Sequence, residues 1–450
     1  MKLRIIILLN KLITLVCRLL GRNASVFPAS LVLKLDNNIL EKIKYPKYVI
    51  GITGSSGKGS TTSLIAHILK ENNYKVVWNK SGSNLLNGIA TLILNNSSIL
   101  TTKIKADILL LELDESFIRE IFKKSTLTHL IVTNITRDQP ARNSTPESIF
   151  NKILTSITND THLILNGDDS LVNQMTLKHK GKITTYGLDK TIYSINTPIS
   201  NNIDAAYCPV CNKKLNYRFY HYGHLGNYKC YNCNYQRKLD YKGKKVNLNF
   251  SEIIIDNNKV HLNTNVLFAA YYTLAAYTLC KIIGLKEEYI LKSLNENISK
   301  PKRMQNLKLD NREVIMLESK NENNLSYLQS LNIINQYENN KTIILGFNNV
   351  SRRYKYNDLS WLYDIDFNIL NTDNIDRIFC IGRFRFDIAA RLINSGLNEN
   401  KIILVNDINN IIDMLKENST GTIFTMVCFD MTEILKNLFL KEENGENDEN

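Results

Sequence analysis

Residues 48–61 read Tyr48-Val-Ile-Gly-Ile-Thr-Gly-Ser-Ser-Gly-Lys-Gly-Ser-Thr61. The apolar beginning predicts a buried strand, and the aliphatic residues between Thr61 and Lys70 recur on one face of a helix. Glycines let the connecting backbone approach a phosphate, and the helix N-terminus supplies free N–H groups. A lysine here offsets phosphate charge, and a hydroxyl at the helix start suits Mg²⁺. We therefore expect ATP binding by Gly54, Gly57, Lys58, Gly59, Ser60 and Thr61.

The rest of the chain alternates short β-rich runs with amphipathic helical runs, which predicts an α/β fold with a parallel sheet. We expect first-domain strands at 48–53, 107–113, 130–134 and 162–166. A second, smaller Rossmann-like α/β domain is predicted to have strands at 314–317, 342–347, 377–382, 402–405 and 422–428 and a helix at 386–394. The predicted parts are an N-terminal helix and lead-in (1–45), a nucleotide-binding domain (46–300), the second domain (301–440) and a disordered acidic tail (441–450).

The first 20 residues are apolar, but Asn10, Lys11 and Arg18 interrupt them, so no run is long enough for a signal peptide or a membrane span. The polar residues Arg4, Lys11, Thr14, Arg18 and Arg22 recur at helical spacing opposite Ile5, Leu8, Leu9, Leu12, Val16 and Leu19. We favour a helix packed on its own protein. The alternative is an interfacial helix on the anionic inner face of a membrane.

Composition narrows the class of protein. With 450 residues, 44% apolar and 22% charged, the chain has the composition of a folded globular protein of two or three domains. The net charge of +13 is scattered rather than gathered in basic runs, which disfavours nucleic acid and favours anionic small or lipid-linked substrates. Four of the eight cysteines are single residues in apolar stretches, which fits a reducing, cytoplasmic setting.

Three carboxylates follow the apolar run at 108–111, namely Glu112, Asp114 and Glu115. The carboxyl end of a parallel strand is where α/β sheets place their ligands. Residues two apart on a strand share a face, so we expect Glu112 and Asp114 to point the same way. We predict that Glu112, together with Ser60, serves a magnesium ion.

A segment of different character, at about 204–241, interrupts the first domain. It contains Cys208-Pro-Val-Cys211 and Cys230-Tyr-Asn-Cys233, two pairs with the type and spacing of zinc ligands. Four cysteines leave no open coordination position, so we predict a structural Zn²⁺ in an inserted ribbon. His221 and His224 lie between the pairs, and we expect them to be surface or packing residues.

Several stretches together resemble the MurT family of Mur ligase-type enzymes. The loop Thr53-Gly-Ser-Ser-Gly-Lys-Gly-Ser60 is similar to that of Mur ligases and folylpolyglutamate synthases, and the run from Tyr220-His-Tyr-Gly-His-Leu-Gly-Asn-Tyr-Lys to Cys230 resembles the MurT ribbon. Further matches are Ser83-Asn84-Leu-Leu-Asn87-Gly-Ile, Leu111-Glu-Leu-Asp-Glu115, Asn134-Ile-Thr-Arg137-Asp138-Gln139, Asn166-Gly-Asp-Asp169 and Asp358-Leu-Ser-Trp361-Leu-Tyr-Asp364-Ile-Asp366-Phe. The resemblance covers nearly the whole chain.

The resemblance implies one subunit of a two-protein glutamine amidotransferase of peptidoglycan synthesis. Such a subunit would use ATP and Mg²⁺ to activate the α-carboxyl of the D-glutamate in the lipid II stem peptide as an acyl phosphate. Ammonia from a GatD-type glutaminase, bound as a heterodimer, would convert it to D-isoglutamine. By motif position Asn84, Asn134 and Arg303 would contact ATP, Glu112 would be catalytic, and Asp358 would complete the glutaminase Cys-His pair, with Asp364 and Asp366 as alternatives.

Three stretches depart from the family pattern. Lys320-Asn321-Glu322-Asn323-Asn324 replaces Lys-Asn-Pro-Ala-Gly, Ala269 and Tyr272 replace two asparagines, and Arg303-Met-Gln305 replaces Arg-Met-Glu. Two alternatives therefore stay open. One is a folylpolyglutamate synthase-like amide ligase with a soluble substrate, and the other is a degenerate partner that binds the glutaminase without turning over ATP.

Overall fold

The computed structural model describes residues 2–80, 82–123, 126–139, 145–198, 203–296, 304–351, 358–428 and 430–448. They form two compact units. Unit 1 comprises Met1–Ile135, Thr145–Asn196 and Ala205–Ser299, and unit 2 comprises Thr136–Ser144, Thr197–Asp204 and Lys300–Asn450.

In the described part of unit 1, helices and strands alternate along the chain. The helices are α1 (Lys2–Leu19), α2 (Phe27–Leu35), α3 (Lys58–Glu71), α4 (Leu86–Asn96), α5 (Ile118–Ile121), α6 (Pro146–Leu154), α7 (Ser170–Asn173), α8 (Met175–Lys178), α9 (Leu267–Ile282) and α10 (Glu287–Asn295). The strands are β1 (Tyr48–Thr53), β2 (Val76–Trp78), β3 (Ile108–Glu112), β4 (His129–Val132), β5 (His162–Asn166), β6 (Ile183–Leu188), β7 (Asn216–Tyr222), β8 (Leu225–Lys229), β9 (Tyr241–Asn247), β10 (Glu252–Ile255) and β11 (Asn258–His261). A 3₁₀ turn spans Ile39–Lys42.

Nine of these strands form one sheet in the order β11-β10-β9-β6-β5-β4-β1-β3-β2. The pairs from β2 to β6 are parallel, as is β6 with β9, while β10 and β11 are added antiparallel. Strands β7 and β8 form a separate hairpin. Because β5, β4, β1 and β3 are parallel neighbours, the loops that follow them meet at one edge of the sheet.

Helix α1 packs on α2 and α4 with the opposite face from the one we expected. Its buried residues include Asn10 and Thr14, and the Asn10 amide donates to Asn95 on α4 at 2.9 Å. Of the apolar face that we favoured for packing, Leu9 is partly buried against the core, whereas Ile5, Leu8, Leu12, Val16 and Leu19 are exposed. Within the described residues, no helix combines the length and the hydropathy that crossing a bilayer requires.

Unit 2 contains a second α/β sheet, in the order β12-β13-β17-β14-β15-β16 over the described residues. Its strands are β12 (Met304–Leu309), β13 (Arg312–Glu318), β14 (Lys341–Gly346), β15 (Ile375–Ile381), β16 (Ile402–Leu404) and β17 (Thr422–Val427). Its helices are α11 (Asn324–Asn335), α12 (Arg385–Asn394), α13 (Ile411–Asn418) and α14 (Asp430–Asp448), with 3₁₀ turns at Ser360–Asp364, Phe367–Leu370, Glu399–Lys401 and Ile408–Asn410. All pairs are parallel except β12 with β13.

These two sheets confirm the predicted α/β fold class. One segment differs from the expectation, since α14 continues to Asp448 through most of the tail that composition predicted to be disordered. Glu442 on this helix pairs with Lys416 at 2.6 Å. Glutamate is a good helix former, so an acidic segment can extend a helix that begins in the core.

Candidate nucleotide and zinc sites

The loop between β1 and α3 has the shape of a phosphate-binding loop. Gly57 precedes α3 with a φ of 82°, and Gly54 has a φ of 125°. Both values lie in the region that favours glycine. A Cβ on Gly54 would lie 2.3 Å from the Thr133 hydroxyl oxygen, so a larger residue would also clash there. The two glycines are therefore required by the backbone path.

The residues after β4 hold this loop in place. The Asn134 side chain accepts from the Ser56 N–H at 2.9 Å and donates to the Ser56 carbonyl at 3.0 Å, while the Asn134 carbonyl accepts from the Ser55 N–H at 2.9 Å. Thr133 donates to the Ser56 carbonyl at 2.7 Å. We predicted Asn134 as an ATP contact. In this structure its side chain braces the loop that would hold the phosphates.

Lys58 is engaged by a carboxylate that our assignment of the site did not include. Its Nζ donates to Glu115 Oε1 at 2.7 Å and to the Gly54 carbonyl. The two side chains are 10% and 2% exposed. Glu115 also accepts from the Gly54 N–H at 3.1 Å. The phosphate loop thus carries an internal anion where a nucleotide phosphate would otherwise meet the lysine.

Glu112 lies beside the first turn of α3. Its Oε1 accepts from the Asn84 amide at 3.1 Å, and a Cβ on Gly59 would lie 3.2 Å from its Oε2. The Asn79 side chain makes two hydrogen bonds of 2.9 Å to the Glu112 backbone, which fixes the end of β3. Ser60, half-buried, follows Gly59 in the same turn. Carboxylate and hydroxyl oxygens are ligands that Mg²⁺ accepts, so these residues fit the metal.

Asp168 and Asp169, which follow β5, are fully buried. Asp169 accepts from the N–H groups of Leu171 and Val172 at the start of α7, and its second oxygen accepts from the Ile135 N–H at 2.7 Å. The neighbouring Asp168 pairs with Arg237 at 2.5 Å. Only the family resemblance singled out this pair of aspartates, because a buried structural carboxylate has no distinctive spacing in a sequence.

The four predicted zinc ligands come together. The Sγ atoms of Cys208, Cys211, Cys230 and Cys233 all lie within 4.8 Å of one another, and Cys208–Cys233 and Cys211–Cys230 are 3.5 Å apart. A tetrahedral ion with Zn–S bonds of about 2.3 Å would separate its sulfurs by about 3.8 Å. None of the eight cysteines forms a disulfide. The arrangement is consistent with a zinc site.

The two Cys-x-x-Cys turns have matching backbones. Asn212 and Asn234, each directly after the second cysteine, have φ values of 57° and 60°. In the first turn the Cys208 N–H donates to the Lys213 carbonyl at 2.7 Å, and in the second the Cys230 N–H donates to the Tyr235 carbonyl at 2.7 Å. The left-handed residue turns each chain back on itself, and asparagine tolerates that conformation.

The ribbon packs on the loop after β5. The Tyr228 hydroxyl donates to the Gly167 carbonyl at 3.1 Å, and the Tyr235 hydroxyl donates to the Ser170 carbonyl. His221 and His224 are buried and lie outside the four-sulfur group. Burial lowers the pKa of His221, whereas His224 lies 3.0 Å from the Asp169 carboxylate. The histidines therefore pack the ribbon against the rest of unit 1.

The three aspartates proposed for the glutaminase have different surroundings in unit 2. Asp358 is exposed, and its carboxylate accepts from the Ser360 N–H at 2.9 Å, which lowers its pKa. Asp364 pairs with Arg137 at 2.5 Å, and Asp366 accepts from the Asn368 N–H at the start of a 3₁₀ turn. The structure thus leaves the Asp358 carboxylate the most accessible of the three.

The divergent loop at 320–324 remains well connected. Lys320 makes two contacts of 2.7 Å with the Asp138 carboxylate, and Asn323 donates to the same group at 2.9 Å. Asn323 also caps α11, and Glu322 has a φ of 58°. In the family pattern a proline stiffens this loop, whereas in this chain hydrogen bonds hold it.

Of the other predicted or divergent positions, Arg303 lies outside the described residues. Ala269 and Tyr272 are buried in α9, where the Tyr272 hydroxyl donates to Asn263.

Comparison with known proteins agrees with this architecture. Residues 52–235 match the Mur ligase middle domain, and residues 320–430 match the MurT ligase C-terminal domain. The chain is 30% identical over 388 residues to the MurT subunit of lipid II isoglutaminyl synthase (glutamine-hydrolyzing) of Staphylococcus aureus, covering 85% of this chain and 86% of that one. The corresponding subunit of Streptococcus pneumoniae is 28% identical over 389 residues, with 85% of each chain covered.

Solved structures share the fold at low sequence identity. A pseudomurein peptide ligase type C from Methanothermus fervidus gives a TM-score of 0.68 at 20% identity, covering 90% of this chain and 80% of that one. MurF ligase from Thermotoga maritima, solved with ADP, gives a TM-score of 0.60 at 16% identity, covering 93% and 85%. The matched middle domain places the chain among the Mur ligases, which are ATP-dependent amide ligases of peptidoglycan synthesis. With its MurT-type C-terminal domain and its four-cysteine insertion, the chain belongs to the MurT family.

Proposed function

We propose that this chain is the ligase subunit of a two-protein enzyme that amidates the D-glutamate α-carboxyl of lipid II to D-isoglutamine. One observation carries the proposal: a complete phosphate-binding loop with Lys58 and Glu112 occurs in the same chain as a MurT-type C-terminal domain that exposes Asp358. The names of the Staphylococcus and Streptococcus relatives supply the substrate and the glutamine dependence.

The proposed chemistry begins with ATP. Its phosphates would occupy the loop of Gly54–Thr61, where backbone N–H groups at the start of α3 face them. On ATP binding, the Lys58 ammonium group would leave Glu115 and pair with a phosphate oxygen, because both anions would lie within its reach at the loop. Mg²⁺, held by Ser60 and Glu112, would supply charge neutralisation when bound. Lys58 and the metal would reduce the repulsion between the substrate carboxylate and the γ-phosphate, and so favour attack of the first on the second.

In the first step a carboxylate oxygen bonds to the γ-phosphorus, the bond from that phosphorus to the β–γ bridging oxygen breaks, and ADP leaves with its electron pair. In the second step the ammonia nitrogen attacks the acyl carbon, phosphate leaves with the electron pair of the carbon–oxygen bond, and the nitrogen loses a proton. The ammonia would come from a glutaminase subunit bound to unit 2. Asp358 would orient the histidine of that subunit, as an aspartate does in a catalytic triad.

The four-cysteine cluster supports a structural role in this mechanism. All four donors are sulfurs that converge on one point, so a bound zinc ion would have no open position for substrate. The ribbon instead contacts the loop of Asp168 and Asp169. We therefore assign the zinc to holding that loop and not to the reaction.

The test is amidation of lipid II by the chain reconstituted with a GatD-type glutaminase. We expect ATP-dependent product with glutamine, and also with ammonium when the glutaminase is omitted. Transfer of an amino acid to a soluble substrate without a glutaminase would favour the folylpolyglutamate synthase-like alternative. Partner binding with neither amidation nor ATP hydrolysis would identify a degenerate subunit.

A further inference from the structure

The N-terminal helix shows an apolar face to solvent. Along α1, Ile5, Leu8, Leu12, Leu15 and Leu19 are between 43% and 77% exposed. The side turned to the protein contains Ile6, Ile7 and Cys17 as well as Asn10 and Thr14, which bond to Asn95. A helix that packed only on its own protein would carry polar residues on its outer face. The exposed stripe is therefore apolar surface that the packing of α1 on its own protein leaves uncovered.

The next helix also exposes apolar side chains. Phe27, Leu31 and Leu35 of α2 are 52%, 38% and 55% exposed and recur every four residues. Helix α2 packs against α1. We call these residues, together with Ile5, Leu8, Leu12, Leu15 and Leu19 of α1, the N-terminal apolar surface. Its eight side chains come from two packed helices, whereas a coiled-coil seam uses one stripe of a helix.

Positive charge accompanies this surface. Residues 1–35 contain Lys2, Arg4, Lys11, Arg18, Arg22 and Lys34 and no aspartate or glutamate. Arg4, Lys11 and Arg18 are seven residues apart, so they form a row beside the leucine stripe. Cations next to exposed leucines are the pattern of a helix that lies in the interface of an anionic bilayer.

We propose that the N-terminal apolar surface docks on an anionic membrane, with α1 lying in the plane of the headgroups. A second copy of this chain fits less well, although the spacing of Ile5, Leu8, Leu12, Leu15 and Leu19 matches a coiled-coil seam. Two copies of α1 would bring like charges together with no acidic residue to pair with them. The helix is also shorter than the three or four heptads that such a seam normally needs.

Docking has a consequence that rests on the proposed function. A ligase whose substrate is anchored in the bilayer would meet that substrate more often if the ligase were held at the same membrane surface. Once it is docked, the effective concentration of the substrate around it is higher. The docking itself requires neither ATP nor substrate. It can therefore be measured separately from amidation.

The experiment is flotation of the purified full-length chain with vesicles that contain no lipid II. We expect binding to phosphatidylcholine vesicles that contain phosphatidylglycerol, weaker binding at high salt, and much weaker binding to phosphatidylcholine alone. Leu12→Gln/Leu15→Gln should reduce the partition coefficient by about tenfold or more, because each leucine leaves an apolar phase. Arg4→Gln/Arg18→Gln should reduce binding and its salt dependence.

The matched control is Leu177→Gln/Ile192→Gln, which changes two exposed apolar residues of unit 1 outside the N-terminal apolar surface. It should bind like the wild type. Thermal melting must show that every variant is folded, and the arginine variant provides a test if the leucine variant is not. Equal binding to neutral vesicles, no binding by the wild type, or unchanged binding by both variants would overturn the proposal. So would a dimer that Leu12→Gln/Leu15→Gln dissociates without an effect on flotation.

Discussion

The Asp169 carboxylate accepts a hydrogen bond of 2.7 Å from the Ile135 backbone N–H. Ile135 directly follows Asn134, whose side chain holds Ser56 of the phosphate loop through two hydrogen bonds. The other Asp169 oxygen caps α7. The adjacent Gly167 and Ser170 carbonyls accept hydrogen bonds from two tyrosines of the ribbon. A short series of contacts therefore links the ribbon to the phosphate loop inside unit 1.

Substitution of Asp169 tests this link. Asp169→Asn keeps one acceptor oxygen and replaces the other with a donor, so either the Ile135 N–H or the α7 cap loses its partner. We expect the free energy of unfolding to fall by about 2 kcal/mol and the affinity for ATP to weaken. Urea denaturation and ATP titration measure the two effects. The control is Asp160→Asn at an exposed site. Normal ATP affinity in a destabilised variant would show that the link does not reach the phosphate loop.

The zinc assignment predicts a stoichiometry. The wild type should contain one zinc per chain, and Cys230→Ser should lose it and loosen the ribbon, because structural metal binding is coupled to folding. Elemental analysis and limited proteolysis of the insertion measure these results. Cys280→Ala, which changes a buried cysteine of α9 outside the cluster, should keep the metal. Zinc retained by Cys230→Ser, or absent from wild-type protein prepared without chelator, would contradict the assignment.

Lys58→Ala should abolish amidation, with a loss of about 100-fold or more in rate, because the phosphate charge is no longer offset. It should also cost stability, on the order of 3 kcal/mol, because the buried Glu115 carboxylate would lose its cation. Lys58→Ala/Glu115→Gln separates the two effects. The double variant should regain stability and remain inactive. Near-normal amidation by either variant would move the site away from this loop.

Asp358→Asn tests whether this residue serves the glutaminase reaction of the partner and not the ligase reaction of this chain. We expect glutamine-dependent amidation to fall by at least about 100-fold, because an aspartate stabilises the protonated histidine of the partner. Ammonium should restore activity, since it bypasses the glutaminase. The control is Asp373→Asn, another exposed aspartate of unit 2. Loss with both nitrogen sources would place Asp358 in the ligase site or the fold, and retention with both would shift the role to Asp364 or Asp366.

The sequence predicted most of the parallel strands but not β2 and β6. The strand expected at 48–53 is β1, and those expected at 162–166 and 422–428 agree with β5 and β17 to within one residue. These strands are buried on both faces, so each is a continuous apolar run that is easy to recognise. Strands β7 to β12 were not predicted either. Strand β9, for example, is rich in lysine and has no such run.

Two features could not be read from spacing alone. Periodicity identified one apolar face of α1, but not that the opposite face, with Ile6, Ile7 and Cys17 around Asn10, is the one that packs on the protein. Likewise, β3 ends at Glu112, so the two-residue period no longer fixes the side chains that follow it. The sequence therefore did not predict that Glu115, in the stretch after the strand, reaches Lys58.

The position of the ribbon within the sheet affects how the fold assembles. Strands β6 and β9 are paired neighbours, yet the whole segment of residues 189–240 lies between them. Without metal, that segment must close as a long flexible loop, and each doubling of loop length costs about 0.6 kcal/mol in closure entropy. A metal-closed ribbon shortens the flexible part. Zinc should therefore accelerate the pairing of β9 with β6, so that metal supply during synthesis affects how fast β9, β10 and β11 are added to the sheet.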